Sequence, residues 1–133
     1  MWLLVFIVVN FCSIFFGLIA GKQIKTFLKK HKSIANEQTL EEFKFLVRCQ
    51  MYLVYFLLFF LIIGFFLNIV VVLNHGLFGL TVTLLIYAYS FWQSQYFRRL
   101  EKKARYLNAA NEILARKYYL VSYTWANKPL PDF

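Results

Sequence analysis

The stretch at residues 49–97, CQMYLVYFLLFFLIIGFFLNIVVVLNHGLFGLTVTLLIYAYSFWQSQYF, contains no charged side chain, and Asn74-His75 stands at its centre. A helix needs roughly 20 apolar residues to cross the ~30 Å hydrocarbon core of a bilayer. Each half of the run is long enough. The pattern therefore predicts two hydrophobic helices folded back on each other in lipid, with Asn74-His75-Gly76 as a tight turn.

A third hydrophobic run, Trp2 to Ala20, comes first. A secretory signal would begin with basic residues and end at a small-residue cleavage site. Here no basic residue precedes Lys22, and Leu18-Ile19-Ala20 is a poor site, so the run reads as a retained span. Trp2 would be its outer aromatic anchor, with Tyr52, Tyr55, Trp92 and Tyr96 at the inner boundary.

The 133 residues are 61% hydrophobic and 21% aromatic, a load that points to lipid rather than water as solvent. The net charge is +9, and all 15 Lys and Arg fall between Lys22 and Arg48 or between Arg98 and Lys128. Basic segments beside spans stay on the cytoplasmic side. Three spans place both segments there, with the N-terminus outside and the C-terminus inside. No nucleic-acid motif accompanies the charge, so nucleic acid is not an expected partner. Cys12 falls inside the first hydrophobic run and Cys49 at the opposite edge of the second, so both read as small hydrophobes rather than a disulfide.

The expected fold is an all-α membrane protein, a single domain of three transmembrane helices in alternating directions with cytoplasmic helical extensions. The spans are about 2–20, 50–73 and 77–96, with an inner connection at 21–49 and an inner extension and tail at 97–133. Thr39 with Glu42 reads as a capping box starting a helix that runs unbroken from Leu40 to about Leu73. Beyond Phe97, Leu100, Leu107, Leu114 and Val121 recur every seven residues. Ala104, Asn111 and Tyr118 alternate with them, so one long helix with an apolar seam is expected. Glu101 with Arg105 and Glu112 with Arg116 would form pairs one turn apart. Pro129 and Pro131 should keep Trp125 to Phe133 extended. No internal repeat is visible.

Several residues are candidates for packing or binding. Asn10, Ser13, Gly17 and Gly21 form a small and polar stripe on the first span, and small residues let membrane helices approach closely. Asn68, Thr81 and Thr83 lie at a similar depth, so an Asn10–Asn68 or Asn–Thr polar layer is expected. The seam residues Leu100, Leu107, Asn111, Leu114 and Tyr118, with Trp125 and Phe133 of the tail, would pack on the first two helices or dock a partner. Lys29, Lys30, Arg98, Arg99, Lys102 and Lys103 could meet anionic headgroups.

Ion pumps and proton relays place ionisable groups inside the membrane, and this chain has none there. No nucleophile–base or paired-carboxylate arrangement can assemble on one side, so no enzyme activity, cofactor or metal is expected. His31 and His75 fall on opposite sides and cannot clamp one haem. The leading expectation is a non-catalytic subunit packing into a larger membrane complex, with lipid and other membrane subunits as partners. Three spans with an outer N-terminus and a basic inner C-terminus also resemble the layout of phage holins. That resemblance covers topology alone and implies a self-assembling pore; the long capped inner segment departs from the compact holin pattern. A small protein binding lipid or a hydrophobic ligand between its spans is a third reading.

Overall fold

The computed structural model describes residues 1–133. It is helical throughout, apart from two short extended breaks. Helix α1 spans Trp2–Lys30, strand β1 Ser33–Ile34, helix α2 Glu37–Arg105, strand β2 Asn108–Ala109 and helix α3 Glu112–Asn127. Both α1 and α2 are long and apolar enough to cross a membrane.

Helix α2 is two antiparallel arms, α2a (37–75) and α2b (77–105), folded at Gly76. Gly76 has φ 56° and ψ −130°, a backbone conformation that side chains with a Cβ rarely adopt. The arms then approach closely. A Cβ built on Gly79 would sit 2.8 Å from the Val71 carbonyl oxygen, so only glycine permits this contact. Farther in, α1 lies against both arms. Phe16 stacks on Phe56 and Phe60 of α2a at 6.1 and 5.6 Å between ring centroids. On the other side, Gln93 of α2b donates to the Ile14 carbonyl at 3.1 Å.

The inner ends depart from the sequence reading in three places. The cap of α2 is Asn36 rather than Thr39, and the helix starts at Glu37. Asn36 Oδ1 accepts from the Thr39 backbone N–H and hydroxyl, both at 2.9 Å. An asparagine one turn upstream outcompetes the threonine because its carbonyl reaches both donors. Glu42 is drawn away to Lys30 and His31 instead of completing a capping box.

The long third helix is also broken. It ends at Arg105, becomes extended through β2, and restarts as α3 at Asn111. Asn111 is thus an exposed N-cap accepting from the Leu114 N–H at 2.8 Å, and not a register-fixing residue of a seam. Short Asx side chains favour caps over helix interiors, which is why the heptad pattern misleads here. Helix α3 then continues to Asn127, past the start of the expected extended tail; Pro129 and Pro131 follow its end.

The third departure is an internal repeat. β1 and β2 pair in parallel, Ser33 with Asn108 and Ile34 with Ala109, a constant offset of 75 residues. The same offset relates the ends of α1 and α2b, the caps Asn36 and Asn111, and the starts of α2a and α3. Phe43 and Tyr118 also differ by 75, and their rings meet at 4.9 Å. The chain is two helix–strand–helix units, α1-β1-α2a and α2b-β2-α3, joined at Gly76. In the sequence the tripeptide Ala35-Asn36-Glu37, recurring as Ala110-Asn111-Glu112, and the pair Phe16 and Phe91 mark this offset.

Replacing Gly79 with alanine should push the arms apart and lower stability by about 1–3 kcal/mol. Gly64→Ala should be nearly neutral, because its Cβ would meet Asn10 Oδ1 at an ordinary 3.8 Å. Equilibrium unfolding in detergent measures both; equal effects would mean that the close approach at Gly79 is not a constraint.

Candidate functional site

The best-built part of the molecule is where the four inner helix ends meet. Ile24 and Phe27 of α1, Leu40, Phe43 and Val47 of α2a, and Leu114, Tyr118 and Val121 of α3 are buried in one cluster. The seam residues lie inside this cluster. Leu100, Leu114 and Tyr118 are buried, and Leu107, Trp125 and Phe133 pack against it. Their apolar faces are therefore covered by the chain's own helices, and of that group only Asn111 is open to solvent.

Polar groups tie the cluster together. The Tyr118 hydroxyl accepts from the Leu107 N–H at 3.0 Å and donates to the Ala104 carbonyl, satisfying backbone groups freed where α2b ends. Burial pushes the Tyr118 pKa up, which keeps the hydroxyl a donor. Lys117 reaches Glu37 at 2.7 Å across α3 and α2a. Arg48 Nε donates to the Phe133 carbonyl at 2.7 Å, and its guanidinium lies 5.4 Å from the Phe133 ring centroid. The tail is thereby folded onto α2a, where Tyr55 also donates to the Pro129 carbonyl.

At the α1–α2a corner, Glu42 receives Lys30 at 2.9 Å and approaches His31 Nε2 at 2.6 Å. These hydrogen bonds, first from His31 and then from Lys30, lower the Glu42 pKa. Glu101 behaves oppositely. Burial raises its pKa, and Arg105 at 3.4 Å only partly offsets this. That contact lacks hydrogen-bond angles, so Arg105 Nε stays buried without a partner. The expected Glu112–Arg116 pair does not form, since all ion pairs lie elsewhere.

Deeper in the bundle, the small stripe of α1 meets α2. Gly17 lies under the Gln93 side chain, Gly21 faces Leu100, and Asn10 lies near Gly64. Asn10 donates to its own helix at the Phe6 carbonyl, and Ser13 is half-buried. Asn68 does meet a threonine, but it is Thr83, whose Oγ1 is 2.8 Å from Asn68 Oδ1. Thr83 also lies 2.9 Å from the Gly79 carbonyl, and one hydroxyl proton cannot serve both. Turning the Asn68 amide so that its nitrogen donates to Thr83 lets the hydroxyl accept from Asn68 while it donates to the Gly79 carbonyl. Thr81 is exposed and bonds only to the Leu77 carbonyl, so it takes no part in this layer.

The sequence reading missed the glutamines. Gln50 is 1% exposed and donates to the Ala20 carbonyl at 3.1 Å and to Gln23 Oε1 at 3.0 Å. It links α1 to α2a, and its position inside an apolar run was the available signal. The headgroup candidates Lys29, Lys30, Arg98, Arg99, Lys102 and Lys103 are all exposed, with Lys30 committed to Glu42. No group of three or more His, Cys, Asp or Glu is placed to hold a metal ion. No protein-family model, curated protein or solved structure matches the chain.

Two carboxylates should give opposite pH behaviour. A lowered Glu42 pKa means that its stabilisation is complete above the ordinary value of 4.5 and is lost as pH falls through the lowered value. A raised Glu101 pKa means a penalty that is present at neutral pH and relieved as pH falls through the raised value. At pH 7 Glu42→Gln should lower the melting temperature and Glu101→Gln should leave it equal or higher. Both differences should shrink in acid, and a melting series across pH checks the two signs.

Proposed function

We propose that this chain is a three-span membrane protein with both basic segments on the inner side, acting as a non-catalytic subunit that seats a membrane helix of a partner. The solvent argument supports the spans. Only 17% of each apolar window is buried within the chain, whereas a core helix of a water-soluble protein is mostly buried. Phe11, Phe15, Phe59, Phe66, Leu73, Leu77 and Leu85 all point outward. Such a surface is stable only in lipid or against other membrane helices.

The observation that carries the subunit reading is Phe91. It stands 75 residues after Phe16, at the equivalent place in the second unit. Phe16 is stacked between α1 and α2a. Phe91 is 67% exposed, because α3 stops at Asn127 while its counterpart α2a runs on to residue 75. Helix α3 is thus the shorter of the two return helices. Above the end of α3 lies a groove of about 440 Å³ lined by Met51, Val54, Leu58, Phe97 and Trp125. An apolar helix from a partner fits the place that the short α3 leaves open, by the close packing that drives association in membranes.

Topology is checked first. With Cys12 and Cys49 replaced by serine, a membrane-impermeant thiol reagent should label His75→Cys from outside and Lys32→Cys only after permeabilisation. Photo-cross-linking in cells then tests the partner. A cross-linking residue at Phe91 or Leu58 should capture one defined membrane protein, and one at Leu4 should not. Capture of this chain alone would turn the reading towards the self-assembling pore. A stable, uncaptured monomer in mild detergent would end the subunit reading.

A further inference from the structure

A second feature lies on a different face, in the cleft between α1 and α2b. Lys32 lies just beyond the end of α1, and on α1 Phe11, Leu18 and Lys25 follow one another at seven-residue intervals. Seven residues are nearly two helical turns, so these side chains stand in line. On α2b, Tyr89, Tyr96 and Lys103 do the same. Both rows line the cleft. Its outer half is an apolar groove of about 510 Å³ between Phe11, Ile14, Leu18, Leu85, Ile86 and Tyr89. Its inner half opens to about 820 Å³ and is lined by Lys25, Lys29, Lys32, Lys102 and Lys103 together with Tyr96 and Tyr106.

No carboxylate lines the inner half. The nearest acid on the α1 side, Glu42, is bound to Lys30 and His31, and Glu101 is turned to Arg105. None of the five lysines makes an ion pair within the chain. Tyr89, Trp92 and Tyr96 step from one half to the other, with centroids 6.0 and 6.4 Å apart. Rings of this kind settle at the level of lipid headgroups. The cleft thus changes from apolar to aromatic to cationic along its length, as an amphiphile does.

We propose that this cleft holds a phospholipid whose headgroup carries at least two negative charges, with its phosphates among the lysines and one acyl chain along Phe11, Leu18 and Ile86. The proposal rests on the three-span reading. A single negative charge would leave most of the lysine cluster unneutralised, whereas two phosphates match its spread over α1 and α2b. The aliphatic groove supplies the second half of recognition, which distinguishes a lipid from free phosphate.

Native mass spectrometry of the full chain in mild nonionic detergent tests this, using dioleoylphosphatidylcholine, dioleoylphosphatidylglycerol and tetraoleoyl cardiolipin as probes. Cardiolipin should be retained one per chain, ahead of phosphatidylglycerol, and phosphatidylcholine should be lost first. Lys25→Gln with Lys103→Gln should weaken cardiolipin retention roughly thirtyfold, at about fivefold per charge. Lys44→Gln with Arg116→Gln removes the same charge outside the cleft and should change it less than about twofold. Ile86→Trp should fill the groove and weaken binding with every lysine in place.

Equal losses from the two double variants would reduce the effect to bulk charge and overturn the site. So would equal retention of phosphatidylcholine, or displacement by excess inorganic phosphate, which would mark a free-phosphate site. If the chain is recovered from the aqueous fraction without detergent, the three-span reading itself fails. A membrane-inserted chain with no lipid preference removes only the cleft.

Discussion

A long helix that ends must satisfy its last carbonyls, and the helix that follows must satisfy its first N–H groups. This constraint organises the inner half of the molecule. Two helices running the same way, α1 and α2b, end side by side. Their extended exits run parallel, so the two breaks supply partners for each other through the β1–β2 ladder. The Ala110 N–H adds a bond to the Ile34 carbonyl at 2.9 Å. Each exit then meets an asparagine cap that starts the return helix. The hydrophobic cluster forms where it does because this double break brings four apolar helix ends to one place.

What the sequence revealed and what it concealed follow from the same physics. The uncharged run and its reversal were legible, because the absence of charge over residues 49–97 and a glycine after Asn74-His75 are strong local signals. The apolar identity of Leu100, Leu114, Tyr118 and Val121 was legible too, since all are buried. Their continuity in one helix was wrong. A heptad pattern records which residues seek burial and says little about whether the backbone between them is unbroken. Asn108 and Asn111 were the warning, as residues that compete with helix through their own side chains. The Asn68–Thr83 contact was anticipated as a class of interaction, but the choice of Thr83 over Thr81 depends on helix rotation about Gly76, which spacing alone does not set.

The repeat gives the asymmetries of the chain a common origin. Equivalent positions face each other at the ladder and at Phe43–Tyr118, so the inner end has approximate two-fold symmetry. Away from that centre the units diverge. Gln50 in the first unit is buried against Ala20 and Gln23, whereas its equivalent Trp125 packs on the shared cluster. After Trp125 the second unit reaches Lys128, Pro129 and Pro131, and Lys128 pairs with Asp132 as the chain folds onto α2a. Proline keeps the helix from continuing there. The first unit continues as helix at the same point, because no proline occurs from Met51 to His75.

Electrostatics completes this division. Glu37, Glu41, Glu42, Glu101 and Asp132 are all engaged by cations; the pairs at Glu37 and Glu42 join different elements, and the other three are local. Lys22, Lys25, Lys29 and Lys32 at the end of α1, and Arg98, Arg99, Lys102 and Lys103 at the end of α2b, remain without carboxylates. These are the ends of the two parallel helices, so like charges are gathered by the same geometry that pairs β1 with β2. Basic side chains near a helix C-terminus are favoured by its dipole, which accounts for part of their placement. The dipole does not cancel the repulsion between two such clusters held side by side. That repulsion calls for counter-charge from outside the chain, which the anionic lipid proposed above would supply. This end is therefore electrostatically incomplete in isolation: its carboxylates are taken up by cations of the chain, and its remaining cations have no ion-pair partner within it.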